Sequence, residues 1–271
     1  MAESLKSIEK VEKIFGTACK PLLVHGNDLN FYVCKYNTSS LSANVLFREW
    51  MCSSFLKIWE LKIPDFDFIH LQKHHNPDSL KNINNEMPCF GVLYNNEYRE
   101  VDAFISGMGV KQKRRFANKK DILKISIFDY WISNEDRNHN NYNLMLQMVN
   151  EEYKIVPIDG GSVFHTGNQD KENYTLSEDE SILSSPLLFS LFTVKELCKL
   201  GLLKELKEYY YFCIRSCKQS FEETINKVPP SWQINKPKEV QNLERFLFND
   251  NWINEVWETF TQHLQISINK K

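Results

Sequence analysis

The chain has 271 residues, enough for one large domain or two lobes with cores of their own. Its 33 basic residues against 35 acidic ones leave a formal net charge of −2, which excludes a general electrostatic attraction to nucleic acid or acidic membrane and leaves room only for a local patch. No apolar run reaches the ~20 residues that span a bilayer, the N-terminus has no apolar leader segment, and the seven cysteines hold no Cys-x-x-Cys pair, so a soluble cytoplasmic protein with reduced thiols is expected.

Leu5, Ile8, Val11 and Ile14 recur every third residue among Lys and Glu, which predicts a short amphipathic helix or arm at the periphery. Residues 21–26 and 30–36 are β-rich runs joined at Gly26-Asn27-Asp28, good hairpin chemistry. Two readings are open for Lys35, at the end of the second run: a lysine on an exposed strand edge, or an ammonium that contacts nucleotide phosphates. A helix of about 18 residues is expected from near Ser42, with Val45, Leu46, Trp50, Met51, Phe55, Ile58 and Trp59 at helical spacing. Glu49 within it is either a surface carboxylate or, if the helix packs behind Lys35, the partner of that ammonium. Pro64 ends this element, and a strand follows toward Leu71.

Residues 73–88 read as an exposed insertion, with His74 and His75 at the surface. Residues 90–94 and 97–101 form either another hairpin or the connector between lobes. Lys111-Gln112-Lys113-Arg114-Arg115 is the one strong basic cluster, read as a solvated loop. A helix is predicted from near Asn118 through Ile122, Ile125, Phe128, Trp131 and Ile132, and the second half is mostly helical after a mobile polar segment at 166–185. Thr193-Val194-Lys195-Glu196 is a capping box, Gly201 interrupts its helix, Pro229-Pro230 marks a rigid connector, and Asp250 is expected to cap a last helix with Ile253, Val256, Trp257, Phe260 and Leu264 on one face.

The stretch from Ser133 to Leu146 is a dense polar run between apolar segments, costly to fold unless its groups coordinate something. Asp136 is followed five residues later by Asn141, then by two short strand-like runs and by Asp159-Gly160-Gly161. That is the layout of a catalytic loop and a metal-binding turn in kinase-like phosphotransferases. Phosphoryl transfer needs a positioned nucleophile, metal ions on the phosphates and a cation on the nucleotide. Asp136 suits the carboxylate that accepts the hydrogen bond of the attacking hydroxyl. Asn141 and Asp159 offer hard oxygen ligands for Mg²⁺, and Lys35 offers the cation. The chain order Lys, Glu, Asp, Asn, Asp is the one kinases use.

Together these segments, Leu22-Leu23-Val24-His25-Gly26 with Phe31-Tyr32-Val33-Cys34-Lys35, Phe47-Arg48-Glu49-Trp50, Leu61-Lys62-Ile63-Pro64, Phe128 through Leu146, and Ile158-Asp159-Gly160-Gly161-Ser162-Val163-Phe164, resemble the HipA-like kinase family from about residue 20 to 165. Asp136-Arg137 with Asn141 is also similar to the loop of phosphatidylinositol kinases. The resemblance implies an α+β fold with two lobes, a small antiparallel sheet with one helix and a mainly helical C-lobe, as a single domain over 1–271 divided near residue 105. It implies ATP with Mg²⁺, transfer to a Ser or Thr hydroxyl of a protein substrate, and a toxin–antitoxin-like or regulatory partner; no membrane or nucleic-acid partner is expected. By position, Lys35, Glu49 and Gly26 fall to the nucleotide, Asp136 to the base, Asn141 and Asp159 to the metal, and Asn143 to loop support or metal binding. Gly26 stands alone where many kinases have a glycine-rich loop, and Asp159 is followed by Gly-Gly without the common Phe. Two other readings fit the same residues: a kinase-shaped regulatory module that binds nucleotide without turnover, and a metal-dependent hydrolase using Asp136, His139, Asp159 and His165.

Overall fold

Residues 4–38, 42–80, 82–101, 109, 114–116, 118–167 and 175–271 are described by the computed structural model of the chain. Strands β1 (Lys13–Ile14), β2 (Leu22–His25), β3 (Phe31–Lys35), β4 (Phe66–Ile69) and β5 (Cys89–Leu93) form one antiparallel sheet in the order β1-β2-β3-β5-β4. Its hairpin β2–β3 turns at Gly26, whose N–H donates to the Asn30 carbonyl at 2.8 Å. Side chains alternate across a strand. Tyr32, Cys34 and Tyr36 therefore join Leu22, Val24, Ile69 and Cys89 in a small outer core, while Lys35, paired in register with Phe90, faces the other way. Helix α1 (Ala43–Ile58) fills that inner side. It is buried around most of its circumference, from Leu46 through Cys52 and again at Phe55 and Leu56, so even Arg48 and Glu49 lie out of solvent.

The N-terminal segment is not a helix. Its backbone donors go to distant partners, Ser7 N–H to the His70 carbonyl, Ile8 to His25 and Val11 to His75, at 2.9–3.0 Å. An extended arm thus lies across the outer core, with Val11 buried in it and Leu5 and Ile14 packed on it. The same contact corrects the reading of residues 73–88: His75 is buried, and its Nδ1 lies 2.8 Å from the Ser7 hydroxyl.

The chain then leaves the first sheet. Strand β6 (Arg99–Glu100) pairs with β7 (Leu144–Val149), which pairs with β8 (Glu152–Pro157) in a second antiparallel sheet, so residues 94–101 are a connector and not a hairpin. The lobe boundary expected near 105 and Lys111 to Lys113 of the basic cluster fall outside the described residues. Asn150 and Glu151, at φ +50° and +65°, supply the two left-handed residues that a tight β7–β8 turn demands.

Helix α2 (Asp121–Ile132) is the axis of the C-terminal half, buried from Ile122 to Ile132 except at Lys124. Short helices α3 (Pro186–Leu191) and α4 (Val194–Leu197) precede α5 (Leu202–Asn226), α6 (Lys236–Leu247) and α7 (Asp250–Asn269). The capping box at Thr193 is present, and Gly201 takes φ +102°, a left-handed conformation that suits glycine. The last helix is capped by Asn249, one residue before Asp250, because its side chain is the one that accepts from Asn251 and Trp252 N–H. Of the expected mobile segment, residues 168–174 lie outside the described residues, and Leu176, Ile182 and Leu183 are core. Indole N–H groups tie the halves together: Trp50 donates to the Thr224 carbonyl and Trp232 to the Pro88 carbonyl. All seven cysteines are free thiols, and no helix among the described residues is long and apolar enough to cross a membrane.

Candidate active site

Lys35 projects from the inner face of β3 onto the N-terminal half of α1. Its Nζ donates to Glu49 Oε1 and, at 2.8 Å, to Asp159 Oδ1. Burial by itself pushes the ammonium toward neutrality, but Glu49 and Asp159 outweigh it and hold the pKa above that of an ordinary lysine. The two carboxylates respond in opposite senses. Burial dominates at Glu49 and pushes its pKa up despite Lys35, whereas at Asp159 the attraction of Lys35 overcomes burial and pulls it down. Lys35 is thus a fixed cation with one enclosed partner and one that opens to solvent, since the Asp159 side chain is 40% exposed against 4% for Glu49.

The turn after β8 is pressed against α1. Gly160 N–H donates to Glu49 Oε2 at 2.9 Å, and Arg48 Nε donates to the Gly161 carbonyl at 2.6 Å. There is no space for a side chain: a Cβ on Gly160 would sit 2.5 Å from Cys52 Cβ, and one on Gly161 3.0 Å from Glu49 Oε1. Two glycines stand here because the Cys52, Glu49 and Val45 side chains of α1 come this close. Gly160→Ala is expected to destabilise the fold by ~1–3 kcal/mol, the usual cost of overpacking, with Cys52 and α1 displaced; urea denaturation checks it, and an unchanged midpoint would refute the close approach.

The second group belongs to the loop after α2. Asp136 receives Asn141 Nδ2 on Oδ1 at 3.0 Å and Asn143 Nδ2 on Oδ2 at 2.9 Å. Two amides thereby fix the carboxylate, and Asn141, exposed, has its amide oxygen available to a cation. The β7–β8 hairpin explains why this loop meets the glycine turn. Register pairs Leu144 with Pro157, so Asn143 and Ile158 emerge side by side at the open end, joined by Ile158 N–H to the Asn143 carbonyl at 3.0 Å. Asn143 and Asp159 take φ +46° and +58°, positions that Asn and Asp tolerate better than most residues.

Arg137, fully buried, completes the link. It donates from Nη2 to the Ile158 carbonyl at 2.9 Å and from Nε to the Asn143 carbonyl at 3.4 Å, and it forms an ion pair with Asp129 of α2. Asn134 Nδ2 donates to the same Asp129 oxygen at 3.0 Å. These residues were visible in the sequence as a lone carboxylate in the apolar run of α2 and an arginine eight positions later, without a signal that the two meet. The structure does not bring Gly26 to this group. It lies at the turn end of β2–β3, whereas Lys35 is at the other end of β3, about 13 Å of extended strand away. A Cβ on Gly26 would meet Asp28 Oδ1 at 2.6 Å, Tyr32 at 3.2 Å and Leu5 of the N-terminal arm at 3.3 Å.

The hydrolase set does not converge. His165 is buried against the rings of Phe246 and Trp252 with Ser133 at 3.4 Å and Glu135 at 3.9 Å, while His139 is exposed. Among the described residues no three His, Cys, Asp or Glu side chains are grouped to hold a metal on protein ligands alone. One carboxylate and one amide, Asp159 and Asn141, suit Mg²⁺ instead, which takes much of its octahedron from phosphates and water.

The family model for HipA-like kinases matches residues 8–177 of the chain. Among solved structures, the chain is similar to the Helicobacter pylori proinflammatory kinase CtkA, with a TM-score of 0.55 and 14% sequence identity over 98% of this chain and 99% of that one. It is also similar to Shewanella oneidensis MR-1 HipA, from a toxin–antitoxin complex with HipB and operator DNA, with a TM-score of 0.48 and 11% identity over 95% of this chain and 74% of that one. The likeness to CtkA is one of fold. No curated protein matches the chain.

Proposed function

Because the chain belongs to the HipA-like kinase family, we propose that it transfers the γ-phosphate of Mg-ATP to a Ser or Thr hydroxyl of a protein, with the whole chain acting as one two-lobed kinase-like domain. The observation that carries this reading is the fixed cation Lys35, held by Glu49 and Asp159, joined through Arg137 to a loop that holds Asp136 between two amides. In this scheme Lys35 binds the α- and β-phosphates, and Glu49 keeps the ammonium oriented toward them. Asp136 aligns the incoming hydroxyl and accepts its proton as the oxygen attacks the γ-phosphorus, while the bond from that phosphorus to the β,γ-bridging oxygen breaks and ADP leaves. Asp159 and the Asn141 amide oxygen would hold Mg²⁺, which would supply charge neutralisation on the phosphates. Gly26 has no part in it. A regulatory partner of the toxin–antitoxin kind belongs to the same proposal.

The test is thermal shift with Mg-ATP together with transfer of labelled phosphate to proteins of a cell lysate. The expected result is a rise of the melting temperature with nucleotide concentration and a labelled Ser or Thr. No shift and no transfer overturn the proposal; a shift without transfer moves the function to nucleotide-dependent regulation, and label on lipid or a small molecule corrects the acceptor.

A further inference from the structure

We propose that Arg137, gripped by Asp129, is a positioning residue that sets the spacing between the loop of Asp136 and the turn of Asp159. This rests on the phosphotransfer reading above. The two segments come from different places in the chain, and each is attached to Arg137 next to its functional residue: Arg137 itself follows Asp136, and the Ile158 carbonyl it binds precedes Asp159. The Asn143 carbonyl, its third acceptor, belongs to the residue that also donates to Asp136. A planar guanidinium has donors in fixed directions, so one fork held by the Asp129 carboxylate of α2 fixes two backbone carbonyls, those of Asn143 and Ile158, relative to that helix, which an ammonium cannot do.

The anchor is poorly suited to a purely stabilising role. Asp129 is buried, its Oδ2 and the Asn134 Oδ1 beside it lack hydrogen-bond partners, and burial pushes its pKa up to about 6 against the pull of Arg137 and Asn134. Cys52 of α1, which faces the charges of both Arg137 and Asp129, is held neutral by burial. Apolar residues of similar size commonly serve stability as well as a buried ion pair does. What an apolar pair cannot supply is the hold on the Asn143 and Ile158 carbonyls.

That contrast defines the experiment. The double variant Asp129→Leu, Arg137→Met removes the charges together and is expected to fold with an unchanged or higher melting temperature. Its kcat is expected to fall about 100-fold, the effect of a small misplacement of reacting groups, with the ATP KM within about threefold. Amide exchange at residues 141–143 and 158–161 should accelerate while the β2–β3 hairpin stays protected. Arg137→Lys, which keeps the ion pair and loses the fork, should show the same pattern about tenfold weaker and decides the matter if the double variant fails to fold. Turnover and exchange both unchanged, or a kcat loss matched by an equal rise in KM, overturn the proposal. If the wild-type protein transfers no phosphate, the phosphotransfer reading fails, and the exchange of residues 141–143 and 158–161 in the variant alone shows whether Arg137 holds the two segments.

Discussion

Asp136→Asn is expected to reduce phosphate transfer by a factor of about 10³, within the range that a general base contributes, while Mg-ATP still raises the melting temperature. Asparagine keeps the shape of the residue but cannot take a proton. It also places an NH₂ group against one of two amides that now donate to Asp136, Asn141 or Asn143, so one hydrogen bond turns into a donor–donor contact. Because Asn141 is exposed, water can take over that donor, and the stability cost should stay near ~1 kcal/mol. Measuring single-turnover transfer and nucleotide binding on the same preparation separates the two effects. If transfer persists within tenfold of wild type, another group handles the proton and the role given to Asp136 is wrong.

How much of this was legible depended on whether a residue's partner lies nearby in the chain. The β2–β3 hairpin follows from Gly26-Asn27-Asp28 between alternating runs, the capping box from Thr193 and Glu196, and α1 and α2 from their apolar spacing; all are local patterns, and all are present. The order Lys35, Glu49, Asp136, Asn141, Asp159 was readable for a different reason, since phosphate chemistry calls for those residue types. Leu5, Ile8, Val11 and Ile14 left a helix and an arm open, and the arm forms because its amides bond to His25, His70 and His75 far along the chain. His75 is buried by Ser7 of that arm, a contact 68 residues distant. The pairing of Arg137 with Asp129, and the pressure of Cys52 that requires Gly160, arise where separate elements pack, and no period in the sequence records them.

Lys35→Met is expected to abolish most turnover, about 10²–10³-fold for the loss of one charge-stabilising group, and to change how stability depends on pH. In the wild-type protein Asp159 titrates below its ordinary value through Lys35, so its contribution is present at neutral pH and is lost as pH falls through the carboxylate range. Glu49 is shifted the other way by burial, and its ionisation costs stability as pH rises. Methionine fills the space of the lysine stem and leaves the two carboxylates facing each other without a cation. Both should then titrate above their unfolded values, so the native state binds more protons than the unfolded one and stability falls as pH rises through that range. At low pH the order is different: both carboxylates are protonated, the wild-type ammonium is left buried without a counter-charge, and the variant suffers no penalty. The difference in unfolding free energy should therefore be smallest at acid pH, below the range in which wild-type Asp159 ionises, and grow to about 3 kcal/mol at pH 7, the lower end for breaking a buried pair, because the Asp159 side chain is 40% exposed and its share is screened. Urea denaturation across that range measures it. A difference that does not vary with pH would mean that Lys35 acts there through packing and not through charge.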